Sequence, residues 1–293
     1  MRFRASIAAA LTITCSVTLP AQQSPRLDQL LAKMDAYLAT YEPRLSELIA
    51  DETLVQETKL PISYSFMPRE AVPAQSPQRR TIKSEVAFIA LPENAGWLGF
   101  RHVKTVDDRA VENESASLTS ALQANRYDAA RALLSAGAQF NLGLPRTTNL
   151  PNLPLEFLHQ RNRKRFLLRN DGRETIGGVN ASRIVLLERI VPTMIRNPDT
   201  NADMPSVVRA WIGEQTGQLL RAEVRTFISA EAKNADNTIW VEFSNHKELG
   251  MLVPIEMRET FPVERPSTGT GKAAYSNFRR FQTSARIVPP GLP

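Results

Sequence analysis

Few side chains in this sequence have the types and spacing that catalysis or metal binding requires. The three histidines, His102, His159 and His246, show none of the spacings that hold a zinc ion. No serine lies in a Gly-x-Ser-x-Gly turn, and Gly269-Thr270-Gly271-Lys272 lacks the frame of a phosphate-binding loop and indicates a flexible turn. The sequence therefore assigns no catalytic, metal-binding or cofactor-binding residue. A hydrolase, which needs a histidine near a carboxylate and a nucleophile, is the weakest hypothesis.

Basic side chains form one candidate binding patch. Arg161, Arg163 and Arg165 are two residues apart, so a strand would present all three on one face. That face is either a solvated outer surface or a patch that faces an anion, such as a lipid head group, an acidic glycan or a protein partner.

Short segments that alternate between apolar and polar residues dominate the chain and predict strands with one dry and one wet face. Asp107-Asp108 is a candidate hairpin tip, and Asn170-Asp171-Gly172 and Gly177-Gly178 indicate turns. The pattern predicts an α+β fold with about nine or ten strands in mainly antiparallel sheet. The predicted strands are Leu54 to Lys59, Ile82 to Leu91, Phe157 to Arg169, Ser182 to Ile190, Val207 to Ile212, Gln218 to Ile228, Thr238 to Ser244, Pro254 to Phe261 and Phe278 to Val288. Two further segments, Trp97 to Val103 and Val106 to Val111, flank or contain turn residues.

Two segments have the period of a helix. Apolar residues recur three or four apart from Leu27 to Leu48, after Ser24-Pro25, which is typical of a helix start. Pro43 should kink or split this helix. The helix either packs on the sheet or binds a membrane surface or a partner. The second segment runs from Ser115 to Ala136.

The first residues are typical of a secretory signal peptide. Arg2 and Arg4 precede an apolar stretch, Ala5 to Leu19, that is too short to span a bilayer, and a cleavage site is expected near Ala21. A signal anchor is the alternative. Cys15 is the only cysteine, so cleavage would leave a chain without thiols or disulfides. We expect a periplasmic or secreted protein with no transmembrane segment after cleavage.

Composition and charge are those of an ordinary folded protein. The formal net charge of +6 is spread evenly, which argues against a nucleic-acid binder. Prolines are concentrated in connections. We predict a leader over residues 1–21, a possible subdomain over 22–144 and a sheet region over 145–293.

Three sequence blocks occur in order in the C-terminal half. They are Gly178-Val179-Asn180-Ala181-Ser182-Arg183-Ile184-Val185-Leu186, Ala210-Trp211-Ile212 with Thr216-Gly217-Gln218-Leu219-Leu220-Arg221, and Leu249-Gly250-Met251-Leu252-Val253-Pro254-Ile255-Glu256-Met257. In these blocks the chain resembles the periplasmic outer-membrane lipoprotein-sorting proteins, the lipoprotein-carrier superfamily. The resemblance covers about Phe157 to Val288 and implies an antiparallel half-barrel that wraps around or is covered by helices, with an apolar concave face that receives acyl chains.

Apolar strand positions either close into a core or, in a half-barrel, line a partly open cavity. The predicted function is therefore non-catalytic binding of an apolar or acyl ligand, of lipid or lipoprotein type. The alternative is an envelope scaffold or sensor that binds a protein partner. The residues predicted to line the ligand site are Trp211, Leu220, Val224, Ile239, Val241, Phe243, Ile255 and Met257.

Overall fold

A computed structural model describes residues 25–59, 78–90, 97–111, 136–143, 145–197, 200–228, 237–263 and 268–280. The predicted leader, the predicted second helix except for Ala136, and the part of the last predicted strand after Arg280 lie outside these residues. The described part forms thirteen strands. These are β1 Leu48–Lys59, β2 Arg79–Ala90, β3 Trp97–Val106, β4 Arg109–Ala110, β5 Phe166–Ile176, β6 Val179–Glu188, β7 Ile195–Arg196, β8 Asp203–Met204, β9 Ser206–Gly213, β10 Leu219–Thr226, β11 Asn237–His246, β12 Met251–Pro262 and β13 Thr268–Arg280.

Eleven of these strands form one open antiparallel sheet, which confirms the predicted α+β fold dominated by antiparallel sheet and agrees with a half-barrel plus helices. The strand order is β4-β3-β2-β1-β13-β12-β11-β10-β9-β6-β5. Strand β1 pairs with both β13 and β2, so strands from the first third of the chain extend the sheet built by the last half. Strands β7 and β8 form a separate two-stranded sheet.

Helix α1 spans Pro25–Leu45, and Pro43 does not split it. The proline lies in the last turn with only two helical residues after it, so the predicted split is wrong, and the alternative of a kink stays a prediction. A short helix, α2, spans Leu153–Leu158, and a 3₁₀ helix follows over Gln160–Arg165. The predicted strand from Phe157 to Arg169 is therefore wrong up to Arg165 and becomes a strand only from Phe166.

Turn chemistry predicted some bends correctly. Asp107 and Asp108 both have positive φ and close the β3–β4 hairpin, and Gly177 and Gly178 close β5–β6. Asn170-Asp171-Gly172 is not a turn but a bulge within β5, and Gly269-Thr270-Gly271-Lys272 is part of β13. Both segments were predicted as turns because glycine favours turns locally, whereas here glycine marks a bulge or lets a side chain pack closely on a strand.

Candidate functional site

The face of the sheet on which α1 packs, called the inner face here, carries a continuous apolar surface. Residues directly opposite each other in an antiparallel pair share a face, so Val208 and Val224 lie together, as do Val224 and Ile239. Six neighbouring strands contribute to this surface. Its buried members include Ile184, Leu186, Val208, Ala210, Ile212, Leu219, Ala222, Val224, Ile239, Val241, Phe243, Met257 and Ala273.

Helix α1 covers this surface with one apolar stripe. Its buried side chains recur three or four residues apart, so they lie on one side of the helix and join the same core. They are Leu27, Leu30, Leu31, Met34, Leu38, Tyr41 and Leu45. Helix α2 adds the buried Leu155, Phe157 and Leu158. The apolar face of α1 is thus buried against the sheet, and in this structure it is not available to a membrane surface or a partner.

Polar contacts hold α1 along both flanks. On one flank, Lys33 Nζ donates to the carbonyl of Glu214 at 2.7 Å, and Arg44 Nη2 donates to that of Leu249 at 2.6 Å. On the other flank, Asp35 accepts from Arg163 Nη1 at 2.7 Å. The β9–β10 and β11–β12 turns and the 3₁₀ helix therefore determine where α1 lies across the sheet.

The hydroxyl group of Tyr41 is a polar group within this apolar layer. It is buried, and none of the described residues forms a hydrogen bond with it. Burial raises the pKa of Tyr41 well above its usual value, and the neighbouring Tyr37, stacked at 5.1 Å between ring centroids, adds to that rise. The site therefore contains an unsatisfied hydrogen-bonding group, which costs folding free energy on the order of 1–3 kcal/mol.

Six of the eight predicted site residues lie on the inner face. Val224, Ile239, Val241, Phe243 and Met257 are buried beneath the helices, and Leu220 is buried as the extra residue of a bulge between β9 and β10. They are closed to solvent in this structure. Whether they bind a ligand stays a prediction.

Trp211 lies on the opposite face, so its predicted place in the apolar surface is wrong. It pairs with Arg183 and Arg221, whereas its neighbours Ala210 and Ile212 point inward. Its Nε1 donates to Glu174 Oε2 at 2.8 Å, and Trp240 and the guanidinium of Arg221 pack against it. The sequence did contain the signal, because Trp211 has the same strand parity as Arg209.

Ile255 is also displaced from the predicted face. Glu242 pairs with Glu256 and Phe243 pairs with Pro254, so Ile255 is the extra residue of a bulge and is 42% exposed. A bulge inserts one extra residue, so the side chains before it and after it alternate out of phase with each other. A reading of the sequence as strict alternation does not reveal this shift.

The predicted anion-facing patch is wrong in its geometry. Arg161, Arg163 and Arg165 belong to the 3₁₀ helix, whose three residues per turn point them in different directions. Arg161 pairs with Glu156 at 2.5 Å, Arg163 with Asp35, and Arg165 approaches Glu188 at 3.7 Å. Each of the three guanidinium groups therefore lies near a carboxylate of this chain. Their contacts connect the 3₁₀ helix to the two helices and to β6.

Sequence reasoning missed a buried ionic cluster at the other side of the inner face. Glu52 on β1 accepts two hydrogen bonds from Arg101 on β3, at 2.5 and 2.8 Å, and both side chains are almost fully buried. The hydroxyls of Tyr275 and Ser84 also donate to Glu52, each at 3.0 Å. Burial would lower the pKa of Arg101, but the adjacent Glu52 carboxylate raises it well above its usual value.

The same cluster fixes residues 136–143 and 145–152 onto the sheet. Glu259 on β12 accepts from Gln56 Nε2 at 2.6 Å and from Arg146 Nη2 at 3.2 Å. Asn149 accepts from Arg101 Nη1 at 3.1 Å and donates to Asn141 at 2.8 Å. This part of the inner face is thus filled by hydrogen-bonded polar groups, whereas the surface of the six strands described above is apolar.

None of the three histidines belongs to a catalytic or metal-binding arrangement with the described residues. His102 lies 4.0 Å from Glu85, His159 lies 3.8 Å from Glu42, and His246 packs edge-on against Phe278. Burial lowers the pKa of His159, and the nearby Arg161 adds to that effect. Across the described ranges, no three His, Cys, Asp or Glu side chains are grouped closely enough to hold a metal ion.

The helices in the described part of the chain are too short or too polar to cross a membrane.

Several solved structures resemble this one at low sequence identity, although no protein-family model and no curated protein sequence matches the chain. A DUF1329 family protein from Desulfovibrio piger is 12% identical, with a TM-score of 0.41, over 88% of this chain and 94% of the other. A putative outer membrane lipoprotein-sorting protein domain from Vibrio parahaemolyticus is 10% identical, with a TM-score of 0.41, over 87% and 92%. A LolA superfamily protein from Nitrosomonas europaea is 12% identical, with a TM-score of 0.33, over 87% and 93%.

Proposed function

We propose that this protein binds an apolar or acyl ligand, of lipid or lipoprotein type, on the inner face of its sheet, and that it does so in the bacterial cell envelope without catalysing a reaction. The observation that supports this function is the apolar surface of six neighbouring strands, which is covered by one amphipathic helix and one short helix. The leader-like first residues support the compartment.

Ligand entry requires α1 to move, because the surface beneath it is closed. Helix α1 ends at Leu45 and β1 begins at Leu48, so Ser46 and Glu47 form a short joint between helix and sheet. A rotation about this joint would break the contacts of Lys33 and Arg163 while leaving the sheet intact.

The unsatisfied hydroxyl of Tyr41 supports a ligand that carries a hydrogen-bond acceptor. An ester carbonyl or a carboxylate beside Tyr41 would accept a hydrogen bond from its hydroxyl group and remove the cost of the buried, unpaired group. The acyl chain would then take over the apolar contacts that α1 makes in the closed structure.

The expected affinity is modest. An acyl chain that buries about 300 Å² gains about 7 kcal/mol at ~25 cal/mol per Å², and association costs at least ~4 kcal/mol. The net gain of about 3 kcal/mol corresponds to a dissociation constant in the millimolar range. The closed position of α1 weakens the apparent affinity further, in proportion to the fraction of molecules that are open.

Photolabelling of the delipidated protein with a long-chain fatty acid that carries a diazirine near its methyl end tests this function. We expect labelled peptides from the inner face of β10–β12 and from α1, because the reactive carbon would lie between them. Competition by unlabelled fatty acid should remove the label. Absence of labelling, or labelling confined to outer-face side chains such as Trp240 and Ile255, would contradict the proposal.

A further inference from the structure

One corner of the sheet exposes large aliphatic side chains to solvent. In the described part of the chain, Val191 is 69% exposed and Ile190 is 43% exposed, directly after β6. Leu167 on the neighbouring edge strand and Ile228, just after β10, are half exposed at the same end of the sheet. We call these four residues the aliphatic corner. Clustered exposed aliphatic groups of this size mark interaction surfaces more often than isolated ones do.

Hydrogen bonds fix the backbone of the loop that carries Ile190 and Val191. Arg165 Nη2 donates to the carbonyls of Ile190 and Pro192, and the N–H of Arg189 donates to the carbonyl of Arg165 at 2.8 Å. Beyond the apex, buried Glu188 accepts from the N–H of Met194 at 2.7 Å. The loop is thus anchored on both sides, and its aliphatic side chains are kept in water instead of collapsing onto the sheet.

Two exposed basic residues lie close in the chain to members of the corner. Arg189 and Lys164 are exposed, and neither forms an ion pair with another described residue. Two carboxylates on either side of the loop are occupied, since Glu188 is buried and Asp203 accepts from the N–H of Thr193 at 2.6 Å. The corner therefore combines aliphatic groups with two basic side chains that form no ion pair with another described residue.

We propose that the aliphatic corner docks this protein on the surface of a bilayer that contains anionic lipid. Aliphatic side chains beside lysine and arginine suit the boundary between acyl chains and anionic head groups. Leucine and valine are under-represented among the residues that carry the binding energy of protein–protein interfaces, and the corner includes Leu167 and Val191. This docking is independent of the ligand proposed for the inner face.

Co-sedimentation with vesicles tests the docking, using protein purified in the form that the cell accumulates. We expect the wild-type chain to bind vesicles of phosphatidylcholine and phosphatidylglycerol at about 2:1, and to bind pure phosphatidylcholine at least tenfold more weakly. The double variant Ile190→Asp/Val191→Asp should reduce binding to the mixed vesicles at least tenfold. Ile255→Asp is the matched control, because Ile255 is equally exposed but lies elsewhere, and it should bind within twofold of wild type.

Two further double variants test whether a loss of vesicle binding results from misfolding. Ile190→Ser/Val191→Ser keeps the loop uncharged and should still weaken binding severalfold, with an unchanged urea midpoint. Lys164→Glu/Arg189→Glu should lower binding to the mixed vesicles at least fivefold and leave binding to phosphatidylcholine unchanged. Wild-type protein that stays in the supernatant, or a loss for Ile255→Asp equal to that of the corner variants, would overturn the proposal. Capture of a protein partner without vesicle binding would also overturn it.

Discussion

Replacing Arg101 by methionine is expected to lower the free energy of unfolding by about 3–5 kcal/mol. The substitution would leave the carboxylate of Glu52 buried without its bidentate partner, while Tyr275 and Ser84 supply only two hydroxyl donors. A buried charge without a counter-ion costs far more than the pair itself contributes, because desolvation is then uncompensated. Urea unfolding at neutral pH, followed by circular dichroism, measures the loss.

Two further variants separate this effect from a general loss of packing. Glu52→Gln/Arg101→Met removes both charges and keeps an acceptor for Tyr275, so it should recover at least half of the lost stability. Lys83→Met breaks a pair of similar length, Lys83 with Asp108 at 2.7 Å, whose side chains are 52% and 79% exposed. That variant should change stability by no more than about 0.5–1 kcal/mol. Equal losses for Arg101→Met and the double variant would show that the charge is not responsible.

The strands could be predicted from the sequence because the alternation of apolar and polar residues reflects burial of one face. Val224, Val241 and Met257 recur with the period of a strand whose one face is dry, and the structure places all three on the inner face. The β3–β4 hairpin was also readable, since Asp107 and Asp108 tolerate the positive φ that a tight turn requires. These features depend on a few consecutive residues, so no knowledge of distant contacts was needed.

Bulges and short helices could not be predicted from the sequence, and the reason is physical. The bulge at Ile255 inserts one residue that only the partner strand reveals, and from that point the alternation in the sequence is out of phase with the sheet. Phe157 looked like the start of a strand because it is β-prone, but burial of Leu155, Phe157 and Leu158 beneath the sheet stabilises a helix there instead. Tertiary packing overrides propensity in such short segments.

Part of the ionic cluster could have been predicted from the sequence. Glu52 and Gln56 share strand parity with the buried Leu48, Ala50 and Leu54, so two polar side chains on the dry face of β1 could have been recognised. Their partners could not, because Arg101 and Glu259 lie 49 and 203 residues away from Glu52 and Gln56, respectively. Only the strand order, with β1 between β2 and β13, brings these groups together.

The two halves of the inner face are fixed by different forces, and this has a consequence for ligand entry. Removing residues 136–143 and 145–152 would break several buried or partly buried hydrogen bonds to charged groups, each of which is expensive to leave unmade. Lifting α1 would expose apolar groups, which an acyl chain can cover again, and would release surface contacts that water can replace. The half under α1 is therefore the one expected to open.

Gly217→Ala is expected to loosen α1 and to tighten the binding of an acyl probe about tenfold or more. Gly217 has positive φ in the β9–β10 turn, and a Cβ there would lie 2.7 Å from the N–H nitrogen of Met34 and closer still to the carbonyl of Lys33. The turn could then keep its conformation only by pushing α1 off the sheet. If the substitution stabilises the open state relative to the closed state by about 1.4 kcal/mol, the open fraction rises about tenfold. The apparent affinity then rises about tenfold as well. Hydrogen exchange of Leu27 to Leu45 and a fluorescent fatty-acid titration measure the two effects.

Gly178→Ala is the matched control for this experiment. Gly178 also has positive φ, so alanine there carries the same backbone strain, of about 1–2 kcal/mol, but its Cβ would meet no atom within 4 Å. Exchange in α1 and probe affinity should therefore stay near those of wild type. If the two glycine variants behave alike, strain in a turn explains the change and α1 does not gate the inner face. If Gly217→Ala frees α1 without any gain in probe binding, the helix moves but the surface beneath it does not accept acyl chains.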